Sequence, residues 1–149
     1  ARVLAARGQT AGVCIALFGA EEAGLIGSDH YVSQMSEADR AALEGMLNFD
    51  MFGVGDSWSL IGDPPLTGYA EAAALELGLD FDVVPVAEAP AGSDHAPFAA
   101  LGVPVLFLNC FCDPNYHQPS DIADFVRPPR LAQAGQIGLS VLEQLLPAN

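Results

Sequence analysis

The sequence contains no lysine and only five arginines, against nineteen aspartate and glutamate residues, which gives a formal net charge of −14. Nucleic acids and anionic membrane surfaces repel a chain this acidic, so we expect neither as a partner. A cationic or metal-bound partner fits the charge better. Most of the acidic side chains are expected only to coat a solvated surface.

Cysteine is also scarce, with three residues in the chain. Three are too few for a framework of disulfides. Cys14 lies in an apolar run and is predicted to be buried. Cys110 and Cys112 are two positions apart in an extended segment, where side chains point to opposite faces. A metal site built on that pair is therefore not favoured, although a role for the pair stays open.

Long hydrophobic runs are absent as well. The longest, around residues 12–20 and 103–111, are far shorter than the ~20 residues that cross a bilayer, so no membrane insertion is expected. The 149 residues suffice for one domain. Residues 1–7 resemble the last turns of a helix without a capping residue before them, so we expect the chain to begin within a longer protein.

Apolar runs rich in valine, isoleucine and phenylalanine alternate with longer helical patterns, which predicts an α/β domain with a mainly parallel sheet. The predicted strands cover residues 12–18, 45–50, 58–61, 82–85 and 103–108. The predicted helices cover residues 27–34, 37–43, 65–77, 95–101 and 129–146.

Acidic residues and a histidine follow three of the predicted strands. Glu21 and Glu22 come after the first strand, Asp50 closes the second, and His117 lies in the loop after the last. Ligands of open α/β sheets collect beyond the carboxyl ends of the strands, so these side chains can converge. Adjacent glutamates diverge, so one can bind a metal while the other faces water. Each residue alone also has an ordinary explanation, as a surface glutamate pair, a capping aspartate or a loop histidine.

Four segments carry a resemblance to a known family: FGAEEAGLIGS at 18–28, LNFDMFG at 47–53, GSDHAPF at 92–98 and DPNYHQPSD at 113–121. Their order and spacing resemble the bacterial dizinc aminopeptidases, which share their fold with glutaminyl cyclases and the transferrin receptor ectodomain. The resemblance runs from about residue 13 to 125. It implies a three-layer α/β/α architecture with a mainly parallel mixed sheet, the phosphorylase/hydrolase-like zinc exopeptidase fold. Residues 1–149 would form the C-terminal part of a single zinc peptidase domain, truncated at the N-terminus.

The resemblance also implies roles for the site residues. Glu21 would be the general base, and Glu22, Asp50 and His117 would be zinc ligands. Glu22 and His117 would share one metal, whereas Asp50 would bind the other. The family's first histidine ligand and its bridging aspartate match no segment of this sequence. We therefore expect two zinc ions in a complete domain, and at most one, weakly held, in these 149 residues, which by themselves should be inactive.

The segment at 92–98 implies less. Asp94 and His95 belong to a family hallmark outside the metal shell, where Asp94 would support the base or orient the substrate. Capping of the next helix by Ser93 or Asp94 is an equally open alternative. Gly92 stands where many relatives carry arginine, so any substrate contact from that arginine is in doubt.

The resemblance implies a zinc-dependent aminopeptidase that removes the N-terminal residue from peptides with a free N-terminus through a metal-activated water. Two alternatives remain. A glutaminyl cyclase would use the same fold and one zinc for an acyl transfer within its substrate. An inactive or structural module is the other, because the upstream ligands are missing here.

Overall fold

The computed structural model describes residues 1–9, 11–89, 92–110 and 113–146. The helices are α1 (Arg2–Ala6), α2 (Ile26–Ser33), α3 (Glu37–Ala41), α4 (Leu66–Glu76), α5 (Ala96–Ala100) and α6 (Pro128–Leu145). The strands are β1 (Met46–Phe49), β2 (Trp58–Gly62), β3 (Phe81–Val84) and β4 (Val105–Asn109). All five predicted helices and the last four predicted strands are present, as is the short helix expected at the start of the chain.

The four strands form one sheet in the order β1-β4-β2-β3. The β1–β4 and β2–β3 pairs are parallel, and the β2–β4 pair is antiparallel. The sheet is therefore mixed and mainly parallel, as predicted. Because β1 and β4 run in the same direction, the loops that follow both strands emerge at the same edge of the sheet.

Helices cover both faces of the sheet. On one face, α4 and α6 bury Leu60 of β2 together with Leu106 and Leu108 of β4. On the other face, α2 and α5 pack Val32 and Phe98 near Val105 of β4. All residues of β4 are buried, as expected for a strand covered on both sides. The predicted three-layer α/β/α architecture is confirmed.

The predicted strand at residues 12–18 is wrong for this structure. Residues 13–20 form no regular secondary structure and pair with no strand among the described residues. A cavity of 1250 Å³ is lined by residues 12–18, by β1 and by α6. A strand needs a partner edge for its backbone hydrogen bonds, and an apolar run alone does not supply one.

Cys14 lies on this unpaired segment, so its predicted burial is also wrong. Its side chain is exposed, and its Sγ lies 3.8 Å from the hydroxyl of Tyr31. Leu17, on the same segment, is 95% exposed. Among the described residues, no helix is long and apolar enough to cross a membrane.

Candidate active site

The Glu21–Glu22 pair lies on a turn that backbone contacts close. The amide of Leu25 donates to the carbonyl of Glu21 at 2.8 Å, and the amide of Gly27 donates to the carbonyl of Gly19 at 3.1 Å. A Cβ atom on Gly27 would meet the Gly19 carbonyl oxygen at 2.5 Å. This close approach therefore requires glycine at position 27. The turn fixes where both carboxylates leave the backbone.

Glu22 points toward the loop that follows β4 and contacts His117. The Nε2 atom of His117 lies 3.0 Å from the carboxylate of Glu22, although the two residues are 95 positions apart in the sequence. His117 has a φ of 58°, and its ring stacks on Tyr116 with the centroids 3.7 Å apart. The structure thus brings together two of the predicted metal ligands at the edge of the sheet.

Glu21 has different surroundings, near other carboxylates. Burial and the negative charges of Asp50, Glu22 and Asp94 raise the pKa of Glu21, whereas a hydrogen bond from Ser93 lowers it. The adjacent glutamates therefore have different surroundings, one beside an imidazole and the other beside a hydroxyl and further carboxylates. A carboxylate whose pKa is raised by its neighbours is a candidate proton acceptor.

Asp50 follows β1 and is held by a buried hydrogen-bond chain. Asn48 Nδ2 donates to Ser93 Oγ at 3.0 Å, and Ser93 Oγ donates to Asp50 Oδ2 at 2.9 Å. The same Asn48 nitrogen lies 3.5 Å from Nδ1 of His95, whose ring stacks on Phe107 of β4. Burial lowers the pKa of His95. The chain connects the end of β1 to the segment before α5.

Asp94 is anchored by α2. The hydroxyl of Ser28 donates to Asp94 Oδ1 at 2.6 Å, and Ser28 is fully buried. The alternative that Ser93 or Asp94 caps the following helix is wrong. The N-cap position of α5 is occupied by His95, without a side-chain hydrogen bond. Ser93 and Asp94 direct their side chains to Asp50 and Ser28 instead.

Helix α6 supports the loop that starts at Asp50. Arg130, in the first turn of α6, donates from its guanidinium to the carbonyl of Ser57 at 2.8 Å. Its guanidinium carbon lies 3.7 Å from the ring centroid of Trp58. Burial lowers the pKa of Arg130, which is 5% exposed. This buried cation joins the far end of the loop to the helix layer.

Sequence reasoning assigned no site role to Ser28 or Asn48 and considered Ser93 only as a helix cap. Their contacts join residues 66 and 45 positions apart. Serine and asparagine are common in loops and at strand ends for many reasons, so no local signal distinguishes these residues. Only the folded sheet places them beside the carboxylates.

The residues present fit part of a zinc shell. Carboxylate and imidazole are ordinary zinc ligands, with metal distances of about 2.0–2.2 Å. The 3.0 Å separation of Glu22 and His117 is compatible with two ligands of one ion. Within the described part of the chain, however, no group of three or more histidine, cysteine or acidic side chains is placed to hold a metal. Asp50 accepts a hydrogen bond from Ser93.

A family model for peptidase family M28 matches residues 1–142. The chain belongs to peptidase family M28. Aminopeptidase YwaD of Bacillus subtilis (strain 168) is 33% identical to this M28 chain over an alignment of 136 residues that covers 80% of this chain and 29% of that protein. The predicted resemblance to the aminopeptidase family is confirmed.

Two solved structures resemble the M28 chain in fold. A zinc aminopeptidase from Bacillus subtilis has a TM-score of 0.74 at 27% identity, over 86% of this chain and 34% of that one. A glutaminyl cyclase from an Acidobacteriales bacterium has a TM-score of 0.67 at 25% identity, over 81% and 45%. The chain spans about a third of the length of the aminopeptidases it matches.

The Cys110–Cys112 pair receives no assignment. Cys110 is buried next to the end of β4, and its amide donates to the carbonyl of Met51 at 3.0 Å. That bond joins the loop after β1 to the end of β4. Cys112 lies outside the described residues, so nothing further follows here for the pair.

Proposed function

We propose that these residues belong to a zinc-dependent aminopeptidase, which hydrolyses the N-terminal peptide bond of substrates with a free N-terminus. The observation that carries the proposal is the divergence of the adjacent glutamates. Glu22 contacts His117 at 3.0 Å, whereas Glu21 has a pKa raised by burial and by the charges of Asp50, Glu22 and Asp94. A metal ligand and an adjacent general base need different surroundings of this kind. Membership of family M28 supports the same activity.

In this proposal Glu22 and His117 would hold one zinc ion and Asp50 would contribute to a second. Bound zinc supplies Lewis acidity, which lowers the pKa of water and polarises a carbonyl. Glu21 takes a proton from the attacking water and delivers it to the leaving amine.

The substrate class follows from charge. A peptide with a free N-terminus carries an α-ammonium group, and the carboxylates of Glu21, Asp50 and Asp94 lie near one another around Ser93 and Ser28. An ammonium group is attracted to such a cluster. The acidic chain as a whole also favours a cationic substrate end over nucleic acid.

The ligand count limits what the 149 residues do alone. Two protein ligands are fewer than the three usual for a catalytic zinc, and no group of three ligating side chains is placed to hold a metal among the described residues. We propose that the 149-residue chain binds at most one zinc, loses it on dialysis and does not hydrolyse peptides. Two ions retained after dialysis against zinc-free buffer would contradict this.

The test uses the protein in its full natural length, loaded with zinc. We expect it to hydrolyse an unblocked aminoacyl chromogenic amide. Glu21→Gln should lower the rate by about 10²–10⁴-fold, the usual contribution of a general base, while zinc content is unchanged. Glu22→Gln should instead lower the zinc content. Activity of Glu21→Gln within threefold of wild type would refute its role.

The glutaminyl cyclase alternative is tested with the same preparation. An N-terminal glutaminyl peptide should lose its first residue, and mass spectrometry distinguishes this from cyclisation with loss of ammonia. Pyroglutamyl peptide as the main product would replace the aminopeptidase by a cyclase. The absence of any product from either substrate would favour an inactive module.

A further inference from the structure

The strand residue Asn48 lies behind the predicted zinc ligand Asp50 and is connected to it through Ser93. Asn48 is 8% exposed and Ser93 is 3% exposed, so the contacts between them are shielded from water. The Asn48 amide donates to the Ser93 hydroxyl at 3.0 Å, and the hydroxyl donates to Asp50 Oδ2 at 2.9 Å. The direction of each of these hydrogen bonds matters, because a hydroxyl has a single proton to donate.

The proton of Ser93 has two neighbouring carboxylates. Asp50 Oδ2 accepts it at 2.9 Å, and Glu21 is near enough for the Ser93 hydroxyl to lower its pKa. A hydroxyl rotates about its C–O bond, and its rotor follows the surrounding donors and acceptors. The N–H of Asn48 approaches one side of the Ser93 oxygen and excludes the proton from that side. The remaining directions lead to the two carboxylates, and the 2.9 Å contact is with Asp50.

The tautomer of His95 with an unprotonated Nδ1 favours the amide orientation in which Asn48 presents nitrogen to Ser93. Its Nδ1 atom lies 3.5 Å from Asn48 Nδ2, and its buried ring is held against Phe107 with centroids 4.6 Å apart. A neutral imidazole with an unprotonated Nδ1 accepts the second amide proton of Asn48. Turning the amide over would place its oxygen against this Nδ1 and against the Ser93 oxygen. Ser93 would then have to donate its proton to Asn48 and not to Asp50.

We propose that Asn48 is a positioning residue for Asp50: by donating to Ser93 it directs the single hydroxyl proton of Ser93 onto Asp50 Oδ2, which would leave Oδ1 available to a metal. This inference rests on the proposed function, since it takes Asp50 as a zinc ligand. Hydrogen bonds to ligating carboxylates orient them, and their loss typically costs 10–100-fold in metal affinity or activity.

The experiment is a double-mutant cycle on the full-length protein, with zinc dissociation constants measured by chelator competition in the absence of substrate. Asn48→Leu removes the amide donor at nearly constant size, and Ser93→Ala removes the hydroxyl. We expect each change to weaken zinc binding by about 10-fold or more. Because Asn48 acts through Ser93, the double variant should bind zinc within about twofold of Ser93→Ala.

Asn109→Leu is the matched control. Asn109 is a fully buried asparagine on the neighbouring strand β4, and its amide atoms have no hydrogen-bond partner among the described residues. The same substitution there should leave zinc affinity within twofold of wild type. Thermal unfolding of the zinc-free variants separates positioning from folding. Asn48→Leu should lose zinc affinity, whereas Asn109→Leu should keep it even where it destabilises the protein to a comparable extent.

Three outcomes would overturn the inference. They are zinc affinity of Asn48→Leu within twofold of wild type, additive losses in the double variant, and a wild-type protein that binds no zinc. If Asn48→Leu shows no cooperative unfolding, Asn48→Ala replaces it with the same expectations. A wild type that binds zinc and shows the coupling, but hydrolyses no peptide, would refute the proposed function and leave the role of Asn48 standing.

Discussion

Gly27→Ala tests whether the turn that carries the glutamate pair depends on a close backbone contact. Gly27 lies in the first turn of α2, where alanine is intrinsically the better residue by about 1 kcal/mol. The structure predicts the opposite sign. The added Cβ would stand 2.5 Å from the carbonyl oxygen and 2.9 Å from the nitrogen of Gly19, and both are backbone atoms. Neither atom can move without opening the turn.

The magnitude follows from the cost of overpacking. Forcing an extra methyl group into a packed site costs about 1–3 kcal/mol. In a protein of this size or somewhat larger, each 1 kcal/mol lowers the unfolding temperature by roughly 2–4 °C, so Gly27→Ala should lower it by about 2–12 °C. The turn opens between Gly19 and Gly27, so Glu22 should move relative to His117 and zinc affinity should fall together with stability.

The assay is thermal unfolding followed by circular dichroism, with Gly68→Ala as the control. Gly68 is an exposed residue of α4, and a Cβ atom built there meets no atom within 4 Å. That change should stabilise the protein by about 0.5–1 kcal/mol. The two glycine-to-alanine changes in helices should therefore have opposite signs. An unfolding temperature of Gly27→Ala at or above that of wild type would refute the reasoning.

Two further predictions concern the charged groups. Glu21→Gln should stabilise the zinc-free protein by about 0.5 kcal/mol at pH 7, because it removes one of several like charges. The raised pKa means that ionising Glu21 costs stability as pH rises through it, so unfolding curves of the two proteins should coincide near pH 3; a constant gain at every pH would contradict this. Arg130→Met removes a bond to the Ser57 carbonyl and the stacking on Trp58, and should cost about 1–3 kcal/mol in urea unfolding. Arg127→Met, at an exposed ion pair, should cost under about 1 kcal/mol, and equal losses would refute a special role for the buried cation.

Local pattern was sufficient to predict most of the fold. The helices α4 and α6 and the strands β2 and β4 lie within a few residues of their predicted positions, because each has its own periodicity and its own breakers. The run at residues 12–18 has the same apolar character and is no strand, since pairing depends on another segment of backbone. Composition does not report whether that partner edge is present.

The candidate site divides in the same way. The family resemblance implied that Glu22 and His117 share one metal, and the two side chains meet at 3.0 Å. The connection from Asn48 through Ser93 to Asp50 was not predictable. It depends on the register of β1 beside β4 and on the position of the segment before α5, which no local signal encodes. Whether these residues bind zinc stays a prediction.

The positive-φ residues are a backbone feature that the segments of the candidate site share. Within the described ranges, the non-glycine residues with positive φ are Ala20, Leu25, Met51 and His117, with values of 52–58°. The left-handed region costs an ordinary residue roughly 1–2 kcal/mol. Two of the four flank the glutamate pair, one follows Asp50, and the fourth is the histidine itself. Strain of this kind persists only where the surrounding structure imposes it, and it concentrates at functional sites. Because the four residues come from three segments with unrelated local sequences, their common feature is the edge of the sheet at which they meet. The positive-φ residues therefore point to the same edge as the carboxylates and the imidazole do, on evidence that does not depend on side-chain chemistry.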